Sequence, residues 1–423
     1  MGRAGILLSD TPKLYYGYYL IGAAFVAQFL AIGTQNYVLT AFMAPMSEDL
    51  GWTRTEFSTP RSIGQFVMAA AGVFIGASVD RIGPRPLMLC GLSVLGAAIY
   101  ATSFVQTLTG WLLLNGIALT LGAALIGNLV VNVTLSKWFV ELRGSAVAWA
   151  AMGVSFAGIV ITPGITWAID AYGWRVAWQL LAAFTVCLMV PVALMMRRAP
   201  EDFGLHPDGK SAAQVAAGEA AVAAADYSNS LTRAQALRTP AFYLLVTAFG
   251  FFSVGISVML LQTVPYISDA GFSRTTAAWM ITVASIPAML TKPVWGYFID
   301  RSERPRQLAA MSAALTACAI FSIAAAQSAQ SLSGLVFAYA LLGCGWGGMI
   351  PLQEVIWARF FGRRHLGAIR GAALPIALGL SAAAPILSSY YYDVVGNYDG
   401  AILIVAALNL LSALLIWAIP KRA

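Results

Sequence analysis

The sequence is dominated by apolar runs long enough to cross a lipid bilayer, and this feature leaves few folds open to the chain. A helix that spans a bilayer needs roughly 20 predominantly apolar residues. The runs do not alternate polar and apolar residues in ~10-residue segments, as the strands of a membrane barrel would. Twelve runs of spanning length lie at approximately 17–44, 61–79, 87–106, 110–135, 145–169, 175–197, 241–266, 275–299, 307–327, 333–358, 368–392 and 399–418. We therefore predict an all-α membrane protein with twelve transmembrane helices.

Composition and charge placement agree with this class and predict an orientation. Hydrophobic residues make up 59% of the chain and charged residues only 10%, against roughly 25% charged in soluble domains. Twenty Lys and Arg residues fall in loops of one parity. The opposite loops carry four, which are Arg54, Arg61, Arg175 and Arg274. By the positive-inside rule the basic loops and both termini are expected on the cytoplasmic side. The net charge of +7 therefore does not indicate a nucleic-acid partner.

An internal repeat divides the chain into two halves. A glycine, an aspartate and an arginine recur with the same spacing at the ends of spans two and eight, 220 residues apart. They are Gly76, Asp80 and Arg81 in the first half and Gly296, Asp300 and Arg301 in the second. The longest loop separates six spans from six. We predict an N-terminal six-helix bundle at 1–197, a cytoplasmic linker at 198–240 and a C-terminal six-helix bundle at 241–423. The Ala-rich middle of the linker is expected to be flexible, and its end to form a short surface helix.

Span eight is an apolar segment with one full charge inside it. Lys292 occupies span eight, where the first half has Gly72. A lone ammonium at this depth costs on the order of 3 kcal/mol, and ionisable residues within membranes are functional-site hypotheses by default. An anion bound in a central cavity would offset the cost. The alternative is a lysine that reaches the headgroups, although about eight residues at ~1.5 Å rise place it some 12 Å from the helix end.

Polar residues in otherwise apolar spans are further candidates for lining a cavity. Amides and hydroxyls can bind a substrate oxygen without adding a competing charge. Hydrogen bonding between helices is an equal alternative for each of them taken singly. The residues are Gln28, Gln35, Asn36, Tyr37, Asn128, Gln262, Tyr266 and Trp346. Glu354, also ionisable and near the cytoplasmic end of span ten, is either a proton carrier or half of a structural ion pair with Arg301 or Arg359.

Glycines in spans five and eleven suggest close helix packing. Gly144, Gly153 and Gly158 lie in span five, and Gly371 and Gly379 lie in span eleven. Small residues allow helix backbones to approach closely. We expect these glycines to pack the two spans tightly against the opposite bundle.

The loop after span two carries a recognisable signature. The pattern Gly76-x-x-x-Asp80-Arg81-x-Gly83-x-Arg85 resembles the signature loop of the major facilitator superfamily. The weaker copy at Gly296, Asp300 and Arg301 lies where that family repeats it. The resemblance implies two six-helix bundles related by a pseudo-two-fold axis. It also implies a cytoplasmic gate built from Asp80, Arg81, Arg85, Asp300 and Arg301, whose salt bridges join the bundles when the protein opens outward.

Four further segments are similar to one branch of that superfamily, the oxalate:formate antiporters and bacterial monocarboxylate transporters. They are 51–56, 137–144, 201–209 and 360–371. In that branch a basic residue before a proline on span eight binds the substrate carboxylate, and Lys292-Pro293 stands at this place. Some members have an aspartate four residues earlier that couples protons, where this chain has Ala288. Similar carriers place a tyrosine where this chain has Asn128, and oxalate exchangers carry a second basic residue in span eleven, where 377–379 is apolar.

We predict from these features a secondary transporter of small organic monocarboxylates, such as lactate, pyruvate or aromatic acids, that works by alternating access with proton symport. The alternatives are an anion exchanger of the oxalate:formate type and an exporter of drugs or metabolites with the same fold. We expect a monomer in the bacterial inner membrane whose partners are a small carboxylate, the lipid bilayer and, as a candidate coupling ion, the proton.

Enzymatic activity is not expected. The sequence has no nucleophile–base pair, metal-ligand cluster or phosphate-binding loop. Its four cysteines lie in apolar runs without CxxC spacing. No cofactor or metal is predicted. The spans of the N-terminal half carry no acid in mid-membrane, which argues against a cationic substrate.

Overall fold

In the computed structural model, which describes residues 14–419 without the side chains of Thr40, Arg54, Thr55, Arg274 and Ala278, all the long elements are helices. We number the spanning helices in chain order. They are α1 (16–50), α2 (Arg54–Arg81), α3 (Pro84–Thr102), α4 (108–138), α5 (143–172), α6 (174–195), α7 (Pro240–Asp269), α8 (Arg274–Arg301), α9 (Pro305–Ser328), α10 (Leu332–Phe361), α11 (Leu366–Val395) and α12 (Asp399–Ala418). Within the described residues, the prediction of an all-α protein with twelve spans is confirmed.

Helices α5 and α6 form one continuous helical stretch, Arg143–Met195, that turns at Gly173. Its 53 residues would extend about 80 Å at ~1.5 Å per residue, far more than the ~30 Å of a bilayer core. Gly173 has φ 79° and ψ 161°, a conformation that breaks the helix and that glycine adopts without steric cost. The chain therefore crosses twice in this stretch.

Local sequence signals set the helix ends at several loops. Helix α2 begins with a reciprocal capping box, in which the Thr53 hydroxyl accepts from the Glu56 amide and the Glu56 carboxylate accepts from the Thr53 amide. Proline occupies the first helical position of α3, α7 and α9, where its missing N–H is not needed. Gly83, with φ 84°, makes the tight turn between α2 and α3.

The two bundles meet at two closely packed crossings near the end of the molecule that carries the 81–84, 138–143, 301–305 and 361–366 loops. We call it the basic end. At the α2–α11 crossing, a Cβ on Gly371 would lie 2.3 Å from the carbonyl oxygen of Gly72. At the α5–α8 crossing, a Cβ on Gly144 would lie 2.9 Å from the carbonyl oxygen of Gly296. The expectation that Gly144 and Gly371 pack against the opposite bundle is confirmed.

The same expectation is wrong for the other three glycines. Gly153 packs against the backbone of Phe25 and Gly158 against the ring of Tyr37, both within the first bundle. Gly379 has open space where a Cβ would be. Of the five glycines, the two that pack across the bundles are thus the two nearest the basic end.

The segment expected to be a flexible linker contains two short helices, Ala212–Ala216 and Ala221–Ser228, and is tied to both bundles. The Asp208 carboxylate accepts three backbone amides of the α4–α5 loop, at 3.0–3.2 Å. Asp226 pairs with Arg143 at 3.3 Å and with Arg363 at 3.6 Å. A short helix at Arg233–Ala236 precedes α7. The domain boundaries themselves stay a prediction.

Replacing Gly371 by Ala tests the α2–α11 crossing. Because the added Cβ meets backbone rather than a flexible side chain, we expect the free energy of unfolding to fall by about 1–3 kcal/mol. Gly379→Ala, two turns further along the same helix, is the matched control. It should leave stability unchanged or raise it by up to ~1 kcal/mol through helix propensity. Unfolding in detergent measures both, and equal effects would contradict the close approach.

Candidate functional site

A cavity of about 400 Å³ lies between the two bundles, within the size range of small-molecule sites. Its walls come from α1, α2 and α4 of the first bundle and from α7, α10 and α11 of the second. Within the described part of the chain, no residue of α5 or α8 lines it. These two helices pack against each other beside the cavity.

Helix α4 is interrupted where it borders the cavity. Gly127 is extended, with φ −87° and ψ −160°, and the segment Asn128–Trp138 starts a new helix. The first backbone N–H groups of a helix have no partner within it and carry partial positive charge. Gly127, Asn128 and Leu129 all line the cavity, and the side-chain oxygen of Asn128 is buried without a hydrogen-bond partner. The interruption therefore places the amino end of a helix in the cavity wall.

A chain of buried polar side chains crosses from the first bundle to the second along the cavity wall. Gln28 donates to Asn132 at 2.9 Å, and Asn132 donates to Glu354 at 3.4 Å. Arg370 donates to the same Glu354 oxygen at 2.6 Å. Glu354 thus forms an ion pair, and its partner is Arg370 of α11 instead of the expected Arg301 or Arg359. Its second carboxylate oxygen is buried and unpartnered.

Lys292 is buried at the α5–α8 crossing, with 4% of its surface exposed. Its ammonium donates to the hydroxyl of Ser155, on the opposite bundle, at 2.6 Å. It takes part in none of the ion pairs formed by the described side chains. The headgroup-reaching alternative, which needs an exposed ammonium, does not describe this conformation. Lys292 also does not line the cavity in this conformation.

The structure separates the other predicted polar residues. Gln35 and Asn128 line the cavity. Gln35, Asn36 and Tyr37 fall in a π-helical turn of α1, Gly33–Tyr37, a feature frequent at functional sites. Asn36 borders a small neighbouring space that contains Arg61.

The three candidates from the second bundle lie away from the cavity. Gln262 donates to Ser388 at 3.1 Å and to Ser389 at 3.0 Å, so it joins α7 to α11. Tyr266 is buried in the core of the second bundle. Trp346 packs against that core, and its ring nitrogen is unpartnered.

Most of the polar residues that line the cavity are absent from the predicted set. They are Gln65, Asn132, Ser253, Ser257, Gln353, Arg370 and Ser381. Arg370 precedes a glycine near the start of its helix, as Arg143 does in the first half, and this repeat is the sequence signal that could have pointed to it. The isolated amides and hydroxyls carry no sequence signal that separates a cavity wall from a helix contact.

Two aspartates close the basic end in equivalent ways. Asp300, at the end of α8, accepts from the backbone amides of Gly144 and Ser145 at the start of α5, at 2.6 and 2.8 Å. Asp80, at the end of α2, accepts from the amide of Ala368 at the start of α11, at 2.8 Å. Each carboxylate thus binds the positive end of a helix in the other bundle.

This closure differs from the predicted salt bridges across the bundles. Asp80 forms its ion pair with Lys137 of its own bundle, at 2.7 Å. Arg301 stacks on Tyr297 of its own helix, and Arg81 and Arg85 border surface pockets at the basic end. Among the described side chains, no ion pair joins one copy of the repeated signature to the other.

Two six-helix bundles around a central cavity are an architecture that membrane transporters use. The family model of the Major Facilitator Superfamily matches residues 24–273 and 243–423. The chain therefore belongs to the major facilitator superfamily, and it is a multi-pass transporter and not an enzyme.

Individual proteins similar to this chain include two carboxylate carriers by name. The chain is 23% identical to monocarboxylate transporter 13 of Rattus norvegicus over 419 residues, which cover 97% of this chain and 91% of that protein. It is 23% identical to the oxalate:formate antiporter of Oxalobacter formigenes over 333 residues, which cover 78% and 74%. A solved proton:xylose symporter of the superfamily shares the fold, with a TM-score of 0.73, 15% identity and 96% of each chain covered.

Removing the Asp300 carboxylate should open the basic end. Each charge-assisted hydrogen bond contributes roughly 1.5–3 kcal/mol, so the loss of both bonds in Asp300→Ala should increase the open population by at least about tenfold. A cysteine at Ala148, which is fully buried at the α5–α8 crossing, can report this in a background whose four native cysteines are replaced by serine. We expect a hydrophilic maleimide to label it faster by that factor. Asp202→Ala is the control, because Asp202 pairs with Arg198 within the same loop, and equal labelling in both variants would contradict the closure.

Proposed function

We propose that the chain is a secondary transporter of small organic monocarboxylates that works by alternating access. The observation that carries the proposal is the state of Lys292: an ammonium buried between the bundles whose described partner is a neutral hydroxyl. A buried charge without a counter-ion is costly. A substrate carboxylate would supply the missing charge, and a single cation matches a single carboxylate.

Movement of the bundles would bring Lys292 and the substrate together. Lys292 and Ser155 lie on opposite bundles, so separation of α5 from α8 breaks their hydrogen bond. The freed ammonium then takes the carboxylate in place of the hydroxyl. Lys292 lies where the bundles meet. Binding of an anion to Lys292 would therefore be linked to the rocking of the bundles.

The cavity supplies groups suited to the rest of an anionic substrate. The amino end of helix Asn128–Trp138 faces it, and helix amino ends favour anions. The amides of Gln35, Gln65 and Gln353 also line it. Apolar lining from α7 and α11 suits the body of a short aliphatic or aromatic acid.

Proton symport is supported by the Glu354–Arg370 pair on the cavity wall. A proton on Glu354 would release Arg370 and add a second positive group to the cavity at the moment an anion enters. Protonation and anion binding would then favour each other, as coupling requires. The sequence lacks the aspartate that related carriers use for this purpose, since Ala288 stands there.

We propose that the basic end faces the cytoplasm of a bacterial cell, and the positive-inside rule supports the cytoplasmic side. The hydrogen bonds between the bundles of the described structure lie in the half of the molecule near that end. On this assignment the structure is closed toward the cytoplasm. We propose a monomer as the working unit, because the cavity and its charges come from one chain.

Anion exchange is the second candidate, and Arg370 favours it. Span eleven does contain a basic residue that borders the cavity, and oxalate exchangers are expected to have one. In this chain Glu354 neutralises it at 2.6 Å. Export of cationic drugs is less well supported. Glu354 is the one acid among the described residues that line the cavity, and Arg370 already neutralises its charge.

Ligand-induced stabilisation tests the substrate class. A monocarboxylate at about 100 times its Kd should stabilise the purified wild type by roughly 2.7 kcal/mol. We expect Lys292→Ala to lose this response and Ser155→Ala, which keeps the ammonium, to retain it. Thermal melting in detergent against mono- and dicarboxylates measures both. An equal response of wild type and Lys292→Ala would show that Lys292 does not bind the carboxylate. No response of the wild type to any carboxylate would contradict the proposed substrate class.

The variant Glu354→Gln separates symport from exchange. It keeps the size of the side chain and removes the group that titrates. We expect accumulation driven by a pH gradient in proteoliposomes to fall by at least about tenfold, while exchange of labelled for unlabelled substrate continues. Glu303→Gln, which removes an exposed carboxylate outside the cavity, is a control that should keep accumulation. Accumulation that survives Glu354→Gln would assign proton coupling to another group.

A further inference from the structure

A second cavity, separate from the one between the bundles, lies at the basic end and has about 520 Å³ of space. Its walls come from four parts of the chain that are far apart in sequence. They are the end of α2, Lys137 at the end of α4, the linker that includes 198–202 and 227–233, and the α10–α11 loop with the start of α11. We call it the basic-end pocket. Any molecule bound there would contact both bundles and the linker at once.

The acidic residues of this pocket are all paired. Asp80 pairs with Lys137 at 2.7 Å, and Asp202 pairs with Arg198 at 2.7 Å. The hydrogen bonds from Arg198 lower the pKa of Asp202, so the carboxylate stays ionised and the pair is retained near neutral pH.

The third acid of the pocket, Glu201, pairs with Arg363 at 2.5 Å. Arg363 is buried, and one of its nitrogens also donates to the carbonyl oxygen of Lys137 at 3.0 Å. The charge of this arginine is therefore already neutralised by a carboxylate of the linker.

Three arginines of the pocket remain without a carboxylate partner. Arg81 comes from the end of α2, Arg233 from the linker and Arg364 from the α10–α11 loop. All three are exposed, and none appears in an ion pair among the side chains that the structure describes. Arg364 lies 5.3 Å from the ring of Tyr227, which also borders the pocket.

The pocket thus has a surplus of three positive charges in guanidinium form. Burial lowers the pKa of the neighbouring His365, so at neutral pH the surplus rests on the arginines. A planar guanidinium binds the oxygens of phosphate through two parallel hydrogen bonds. A phosphate group with a charge near −2 matches this surplus better than a single carboxylate does.

We propose that the basic-end pocket is a binding site for a phosphate-bearing anion, held by Arg81, Arg233 and Arg364. The site differs from the proposed transport site in position, in ligand and in consequence. Because its walls belong to both bundles while the basic end is closed, a ligand that binds here favours the closed state. The site would therefore slow transport when it is occupied, and it does not depend on the identity of the transported substrate.

The phosphate can come from two sources. The spanning helices end at this level, so the headgroup of an anionic lipid could reach the pocket from the bilayer. A soluble phosphorylated compound could reach it from the aqueous side. The chemistry of recognition is the same, and the experiment separates the two.

Inorganic pyrophosphate is the soluble probe, tested on the full-length protein by thermal melting at constant ionic strength. The pocket variant is Arg81→Gln with Arg364→Gln. The control variant is Arg238→Gln with Arg304→Gln, which removes the same charge from exposed arginines outside the pocket. We expect pyrophosphate to stabilise wild type and control, and the apparent Kd of the pocket variant to rise by at least about tenfold. Both variants should melt like wild type without pyrophosphate, since the four arginines form none of the ion pairs described.

The lipid arm compares phosphatidylcholine vesicles with vesicles that contain phosphatidylglycerol. If phosphatidylglycerol stabilises wild type and leaves pyrophosphate little to add, the ligand is a lipid phosphate. If pyrophosphate acts equally in both vesicles, the ligand is soluble. Equal responses of wild type and pocket variant to both probes, or no response of wild type to either, would overturn the proposal. If the pocket variant still responds to a monocarboxylate, the transport assignment stands even when the phosphate-site proposal fails.

Discussion

The hydrocarbon core of the bilayer contains no water to form hydrogen bonds with the polar groups of the chain, and most of the architecture follows from this constraint. Backbone amides are satisfied within helices because the hydrocarbon offers no other partner. Buried charges find partners across helices, as Asp80 does with Lys137 and Glu354 with Arg370. Lys292 departs from this rule, since its described partner is an uncharged hydroxyl. A departure of this kind is expected where a charged substrate completes the site.

The same constraint shapes the closure of the basic end. A carboxylate that binds backbone amides of a helix start satisfies both groups without a second side chain. Asp80 and Asp300 do this in opposite directions between the bundles, as the repeat in the sequence would require of a pseudo-symmetric pair. The glycines beside them bring the helices close enough for these hydrogen bonds to form. Such a closure can be released without leaving two opposite charges unpaired, which suits a gate that must open in every cycle.

The sequence predicted the helices well because their signals are local. Apolar length located all twelve spans, and Gly173 separated α5 from α6 where the two predicted runs left a gap. The repeat identified the aspartates of the gate. Their partners were not predicted because they are backbone amides. Nearly every residue carries such an amide, so no sequence pattern identifies the ones that bind a carboxylate.

The cavity could be predicted less completely, for a physical reason. Whether a polar side chain in a span faces a neighbouring helix or an open space depends on the rotation of that helix within the bundle. Gln262 and Gln35 have the same chemistry, yet one bonds to serines of α11 and the other lines the cavity. The break at Gly127 and the pairing of Arg370 with Glu354 likewise depend on contacts between distant spans. Their roles in transport stay predictions.

Counterflow in proteoliposomes tests the central claim most directly. Vesicles that contain purified protein are loaded with unlabelled lactate or pyruvate and diluted into a trace of the labelled acid. The account predicts a transient accumulation of label that other monocarboxylates abolish and that organic cations leave unchanged. Accumulation that organic cations abolish, or no counterflow with any carboxylate while another class of compound supports it, would contradict the account.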